Sequence, residues 1–191
     1  ASHNRVFIVE VMGHKVGWLT LYAGVASGAD IILLPEIPYD DDKIIEAIDK
    51  RKKAGKGFTI LAVAEGAISK EDAALSKKEL RKKQAEETYP SVSYRIADMI
   101  TKRTGSEARV TVPGHTQRGG SPTPYDRVLC TRLGSCAAKA IMDGKFGVMV
   151  GIVNGETKLL PLEEVAGNLK MVDPKCKMIK EAKRVGISFG D

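Results

Sequence analysis

Aromatic side chains are scarce, at 5% of the 191 residues, with Trp18 the sole tryptophan. So few rings give no stacking platform for single-stranded nucleic acid. Cysteine is also scarce: Cys130, Cys136 and Cys176 are odd in number and show no CxxC spacing, which argues against a disulfide framework and against a zinc site. Cys130 and Cys136 lie six residues apart and so do not face one another on a helix. No apolar run reaches membrane-spanning length, and the first residues lack a basic start, an apolar stretch and a small-residue cleavage site. The expectation is a cytoplasmic chain with no membrane partner. Acid is in deficit, giving a formal charge of +6. Much of the excess cation sits in Lys50-Arg51-Lys52-Lys53 and in the run from Lys77 to Lys83, which read as solvated helical faces. No nucleic-acid partner is expected, and a basic field instead suits substrates that are phosphate esters.

What is present is apolar material, 43% of the chain, enough for one core or one core plus a small lobe. Short β-branched runs at 6–11, 30–34, 58–63, 108–112 and 147–153 are bounded by Gly, Pro or charge and predict buried strands. Helical patterns fall at 18–26, 41–53, 70–86, 91–103 and 124–142. This alternation predicts an α/β fold, a mostly parallel sheet flanked by helices on both faces, with ligands gathered beyond the strands' carboxyl ends. Met12, Glu65 and His115 each follow a strand, so that geometry would bring them together.

The stretch from Gly114 to Arg127 gathers His115, Arg118, Arg127 and the Gly119-Gly120 pair in one segment. Glycines let the backbone approach a ligand closely, and imidazole and guanidinium donate hydrogen bonds to phosphate oxygens, the guanidinium as a fork that lysine cannot reproduce. On composition alone a polar turn before a helix accounts for it equally well.

The whole segment from Arg109 through Pro113-Gly114-His115, Gln117-Arg118-Gly119-Gly120-Ser121-Pro122 and Asp126-Arg127 resembles the sugar-phosphate signature of the phosphofructokinase family. A second block, Val9-Glu10-Val11-Met12-Gly13-His14-Lys15-Val16-Gly17-Trp18, resembles the family's methionine-glycine-arginine substrate loop. A third, Ile31-Ile32-Leu33-Leu34-Pro35-Glu36-Ile37-Pro38-Tyr39-Asp40, resembles the strand and turn that follow, and the three blocks occur in family order. The resemblance implies a three-layer, Rossmann-like C-terminal domain and transfer of a phosphoryl group to the 1-hydroxyl of fructose 6-phosphate, giving fructose 1,6-bisphosphate in glycolysis. The donor would be ATP or pyrophosphate with Mg2+, bound mainly by an N-terminal half. That half's Gly-Gly-Asp and Thr-x-Asp-x-Asp segments, the latter carrying the catalytic aspartate, do not occur in these residues. The expectation is therefore the C-terminal portion of a phosphofructokinase, inactive by itself and homo-oligomeric (dimer or tetramer) when whole. Residues 1–117 would bind fructose 6-phosphate, 118–165 would pack with the other lobe, and 166–191 would form a C-terminal helical segment.

The resemblance also assigns roles. His115 and Arg118 match the pair that holds the 6-phosphate from within a subunit, whereas Arg5 and Arg109 match arginines that reach a neighbour's phosphate. Met12 and Gly13 match the segment against the sugar, and Glu65 the carboxylate that accepts from its hydroxyls. Gly28, Asp30 and Lys56 match positions near a nucleotide effector site. Asp30 aligns with a metal-associated acid of that site, and no other residue is assigned to a metal. Ordinary alternatives stand beside these: Met12 as a core residue, Glu65 as a surface carboxylate, Arg5 as a surface ion-pair partner. The chain departs from the family at His14, where an arginine is expected toward the transferring phosphoryl group. Imidazole donates fewer bonds and is only partly cationic near neutrality. This departure keeps an alternative open, a non-catalytic sugar-phosphate-binding or interaction module.

Overall fold

The structure, a computed structural model, describes residues 5–191, apart from the side chain of Gln84. Four strands, β1 (Arg5–Val11), β2 (Ile31–Leu33), β3 (Phe58–Ala64) and β4 (Ala108–Thr111), form a sheet in the order β2-β3-β1-β4 with every pairing parallel. Alternation along β2 explains how both faces are buried. Ile31 and Leu33 join Val6, Ile8, Leu61 and Val63 beneath α2 (Asp41–Lys53) and α5 (Val92–Thr104), which contribute Ile44, Ile48, Ile96 and Ile100. Ile32, Leu34 and Ala62 face α1 (Trp18–Ser27) and α8 (Lys177–Arg184), with Leu21, Ile179 and Phe189 against them. The result is the three-layer α/β arrangement expected of a strand-helix alternation.

Local chemistry sets the helix ends. Asp40 caps α2, its carboxylate accepting from Asp42 N, with acids in the first turn and Lys50, Arg51, Lys52 and Lys53 in the last, which complements the helix dipole. The single helix expected over 70–86 is a correction: the chain forms α3 (Lys70–Ala73), breaks, and restarts as α4 (Lys77–Glu86). Ser76 Oγ accepts from Glu79 N while Glu79 Oε2 accepts from Ser76 N, a capping box that satisfies two amide groups and starts a new helix.

The chain divides into two compact units, 1–117 with 171–191, and 118–170. The second contains α6 (Pro124–Met142), opened by a Thr123–Asp126 capping box, an antiparallel pair β5 (Val148–Val153) and β6 (Glu156–Pro161), and α7 (Leu162–Val165). The run at 147–153, expected as a buried strand, is only partly covered, with Met149 and Ile152 exposed. Its partner strand follows a two-residue Asn154-Gly155 turn with both residues at positive φ, the geometry that suits a tight hairpin. Tyr125, Val128, Ile141, Met142 and Phe146 are exposed, and Ala140 is the only buried apolar residue of this unit among the described residues.

Candidate functional site

Parallel pairing places the carboxyl ends of β1, β3 and β4 side by side, and the segments leaving them carry the predicted groups. Val11 pairs with Ala64 and Val9 with Thr111. Met12, Gly13 and His14 therefore leave β1 next to Glu65 leaving β3, and Glu65 N donates to Val11 O. The Glu65 side chain turns onto the first segment, where Oε1 accepts from Gly13 N at 3.1 Å and from His14 N at 2.6 Å. Val16 N donates to Gly13 O and closes the turn, which holds His14 at φ 53°. Met12 is half-buried, whereas the His14 side chain is exposed.

After β4 a 3-10 turn spans Gly114–Arg118, with His115 exposed on it and Arg118, exposed, as its last residue. Gln117 joins this turn to β1: its Oε1 accepts from Met12 N at 3.2 Å, and its Nε2 donates to Gly114 O at 3.3 Å. Gln117 lies inside the quoted motif but had no assigned role, since one glutamine in a polar loop gives no sequence signal for a bond 105 positions away. Glu36 was missed for the same reason. Its Oε1 accepts from Gly17 N and from Val172 N, fixing the start of α1 against the C-terminal segment.

Arg5 and Arg109 stand elsewhere. Both bind Glu107, Arg5 Nε to Oε2 at 2.8 Å and Arg109 Nε to Oε1 at 2.8 Å. Arg5 opens β1 and Met12 follows its end, so roughly 23 Å of extended chain separates them. A single pocket within one copy of the chain cannot include both. Glu107 is exposed, and hydrogen bonds from Arg109 and Arg5 hold its carboxyl below the usual range. Asp30 precedes β2; its Oδ1 pairs with Arg51 at 2.7 Å and its Oδ2 accepts from Ile60 N. Asp30, Lys43, Lys50, Arg51, Lys56 and Asp191 line a cleft of about 450 Å³, and Gly28 caps α1 in the left-handed conformation nearby in sequence.

The chain that follows Glu65 is fastened by a charged cluster. Asp72 on α3 is 5% exposed and accepts from Lys83 Nζ at 2.5 Å and from Arg95 at 2.6 Å. Arg95 also donates to the buried Tyr39 hydroxyl, and Tyr39 is stitched to this segment through Tyr39 N to Ile68 O and Lys70 N to Tyr39 O. Burial pushes the Tyr39 phenol up to about 12 against the opposing pull of Arg95. A cavity of about 280 Å³ lies between this cluster and Glu65. Among the described residues no group of three or more His, Cys, Asp or Glu side chains could hold a metal ion, and no helix is long and apolar enough to cross a membrane.

A family model for phosphofructokinase matches residues 1–141. The ATP-dependent 6-phosphofructokinase of Spirochaeta thermophila is 50% identical over 190 residues, which cover 100% of this chain and 52% of the relative. ATP-dependent 6-phosphofructokinase 3 of Bacteroides thetaiotaomicron is 45% identical with the same coverage. Pichia pastoris phosphofructokinase in the T-state superposes with a TM-score of 0.66 at 36% identity, over 86% of this chain and 18% of that one. A pyrophosphate-dependent phosphofructokinase from Nitrosospira multiformis gives a TM-score of 0.73 over 100% of this chain and 50% of its own; at 22% identity it shows the fold alone. This chain spans about half the length of the curated relatives it matches. A match to the family over its first 141 residues, on a parallel sheet whose carboxyl ends gather the motif residues, makes the chain a member of the phosphofructokinase family.

Proposed function

We propose that this chain is the fructose 6-phosphate-binding part of a 6-phosphofructokinase, which moves a phosphoryl group to the 1-hydroxyl of that sugar. The observation that carries the reading is the hydrogen-bonded joining of Met12, Glu65 and the Gly114–Arg118 turn at the carboxyl ends of parallel strands. In the proposed site His115 and Arg118 donate to the 6-phosphate, Arg118 as a two-pronged guanidinium. Met12 and Gly13 line the sugar, and Glu65 Oε2, left over from the backbone contacts of Oε1, accepts from its hydroxyls.

Arg5, a strand length away, and Arg109, joined to it through Glu107, serve the pocket of a neighbouring copy in this reading, which makes the whole protein a homo-oligomer. The exposed apolar residues of α6 in the 118–170 unit support contact with a further lobe of a longer protein. The names of the relatives support ATP as donor. The family resemblance assigns Mg2+ and the donor's phosphates mainly to the portion of the relatives that this chain does not span. What this chain supplies is orientation and fixed positive charge around the acceptor sugar. The cleft beside Asp30 and Lys56, which Lys43, Lys50 and Arg51 line together with Glu46 and Asp191, is read as an effector site for a phosphorylated ligand.

In the full-length protein, His115→Ala and Arg118→Ala should each raise KM for fructose 6-phosphate, with turnover affected less, because the 6-phosphate is present before and after reaction. Steady-state kinetics decide it, and wild-type constants in both variants would reduce the turn to a structural element.

A further inference from the structure

One carboxylate oxygen of Glu65 accepts both amide protons of the turn that carries His14, and the next residue is packed against the same turn. An ideal Cβ built on Gly66 would stand 2.0 Å from His14 O and 3.2 Å from its carbonyl carbon. Only glycine lets the two backbones meet at this distance. His14 is held at φ 53°, a conformation that non-glycine residues adopt at a cost and keep where surrounding contacts fix them. Those contacts here are the two bonds to Glu65, at 3.1 and 2.6 Å, and the Val16 N to Gly13 O closure. Glu65 itself is placed by the sheet register, since its amide bonds to Val11 O.

We propose that Glu65 and Gly66 are the positioning element of the Gly13–His14 turn, so that the carboxylate facing the sugar also sets where position 14 stands toward the transferring group. The two oxygens of one side chain divide the work: Oε1 fixes the turn and Oε2 faces the acceptor. Recognition of the sugar and alignment of the turn are thereby coupled through a single rigid group. This inference rests on the phosphofructokinase reading of the site and adds to it a role that sugar contact alone does not require.

The split between KM and kcat for fructose 6-phosphate tests the coupling in the full-length protein. Gly66→Ala adds a methyl about 1 Å inside the closest distance real Cβ atoms keep, so the His14 carbonyl must move, while no group facing the sugar is lost. A displacement of that size at a reacting centre costs up to about a hundredfold. The expected result is a kcat lowered roughly 10- to 100-fold with KM changed less than about threefold. Glu65→Gln and Glu65→Ala form the second arm and decide the matter if Gly66→Ala does not fold. Both should raise KM, but the glutamine carbonyl still accepts from Gly13 N and His14 N, so its kcat should exceed that of the alanine variant by about tenfold. Equal kcat values for the two Glu65 variants, or a folded Gly66→Ala protein with unchanged kcat, overturn the positioning role. An unmutated protein without turnover of fructose 6-phosphate overturns the functional reading itself and the coupling with it.

Discussion

Replacing Asp72 by asparagine tests what secures the segment that follows Glu65. Asp72 is 5% exposed and receives Lys83 at 2.5 Å and Arg95 at 2.6 Å. Burial pushes its carboxyl up, but hydrogen bonds from Lys83 and Arg95 outweigh that and leave it below the ordinary carboxylate range. Asparagine keeps the shape and removes the charge, leaving two cations facing a neutral group. Losing one partner of a buried pair costs about 3–5 kcal/mol. Here the cations reach solvent, since the Lys83 side chain is 47% exposed and that of Arg95 21%, so about 2–3 kcal/mol is expected.

Trp18, the only tryptophan, packs against the core of the first unit, and its fluorescence in urea reports that unit's unfolding. Arg95→Gln and the double variant complete a cycle in which a coupling of at least about 1 kcal/mol is expected. The pH dependence has a definite sign. A carboxyl whose folded value is depressed contributes stability above its unfolded value, about 3.9, and loses it as pH falls through the lower folded value. The difference between parent and Asp72→Asn should therefore be full at neutral pH and shrink in acid below about pH 4. A cost under about 0.5 kcal/mol at neutral pH, or additive single variants, would show that the cluster is a solvated surface feature.

Replacing His14 by the arginine that the family resemblance leads one to expect, His14→Arg in the full-length protein, should raise kcat more than it changes KM, because guanidinium supplies a permanent charge and a two-pronged donor. An unchanged kcat would remove position 14 from the reaction. Gly24→Ala should lower the unfolding free energy by about 1–2 kcal/mol, read as a lower urea midpoint, despite alanine's helix preference, since overpacking outweighs it. The reason is an added Cβ only 2.6 Å from Ile32 Cδ1 and 3.2 Å from Ala62 Cβ. An unchanged or raised midpoint would mean that the α1 interface has room to spare.

Much of the local architecture was legible in the residues. The acid-first, base-last pattern of 41–53 and the Thr123-Pro124 start of α6 marked their helices to the residue. The break at Ser76 was also written, as Ser-x-x-Glu, but the helix-favouring residues on either side of it, from Lys70 to Glu86, obscured it. The β6 strand had its signal in Asn154-Gly155. The α8 helix lies in a segment where lysines and single apolar residues alternate without a cap side chain, and it takes its place from Ile179 and Ala182 packing on the sheet.

The sequence by itself determined the strand-helix alternation, the family and the residue types available for holding a phosphate ester, because caps, turn residues and hydrophobic period act within a few positions. Which residues distant in the chain touch was decided by tertiary structure alone. The parallel register of β1 with β3 and β4 brought position 14 to position 65 and position 12 to position 117, and the same register brought Arg5 to Glu107, which Arg109 reaches from two residues away in the chain. The need for glycine at 66 is of the same kind. Its cause is the approach of a backbone carbonyl 52 residues earlier in the chain, a contact that exists only once the strands have paired.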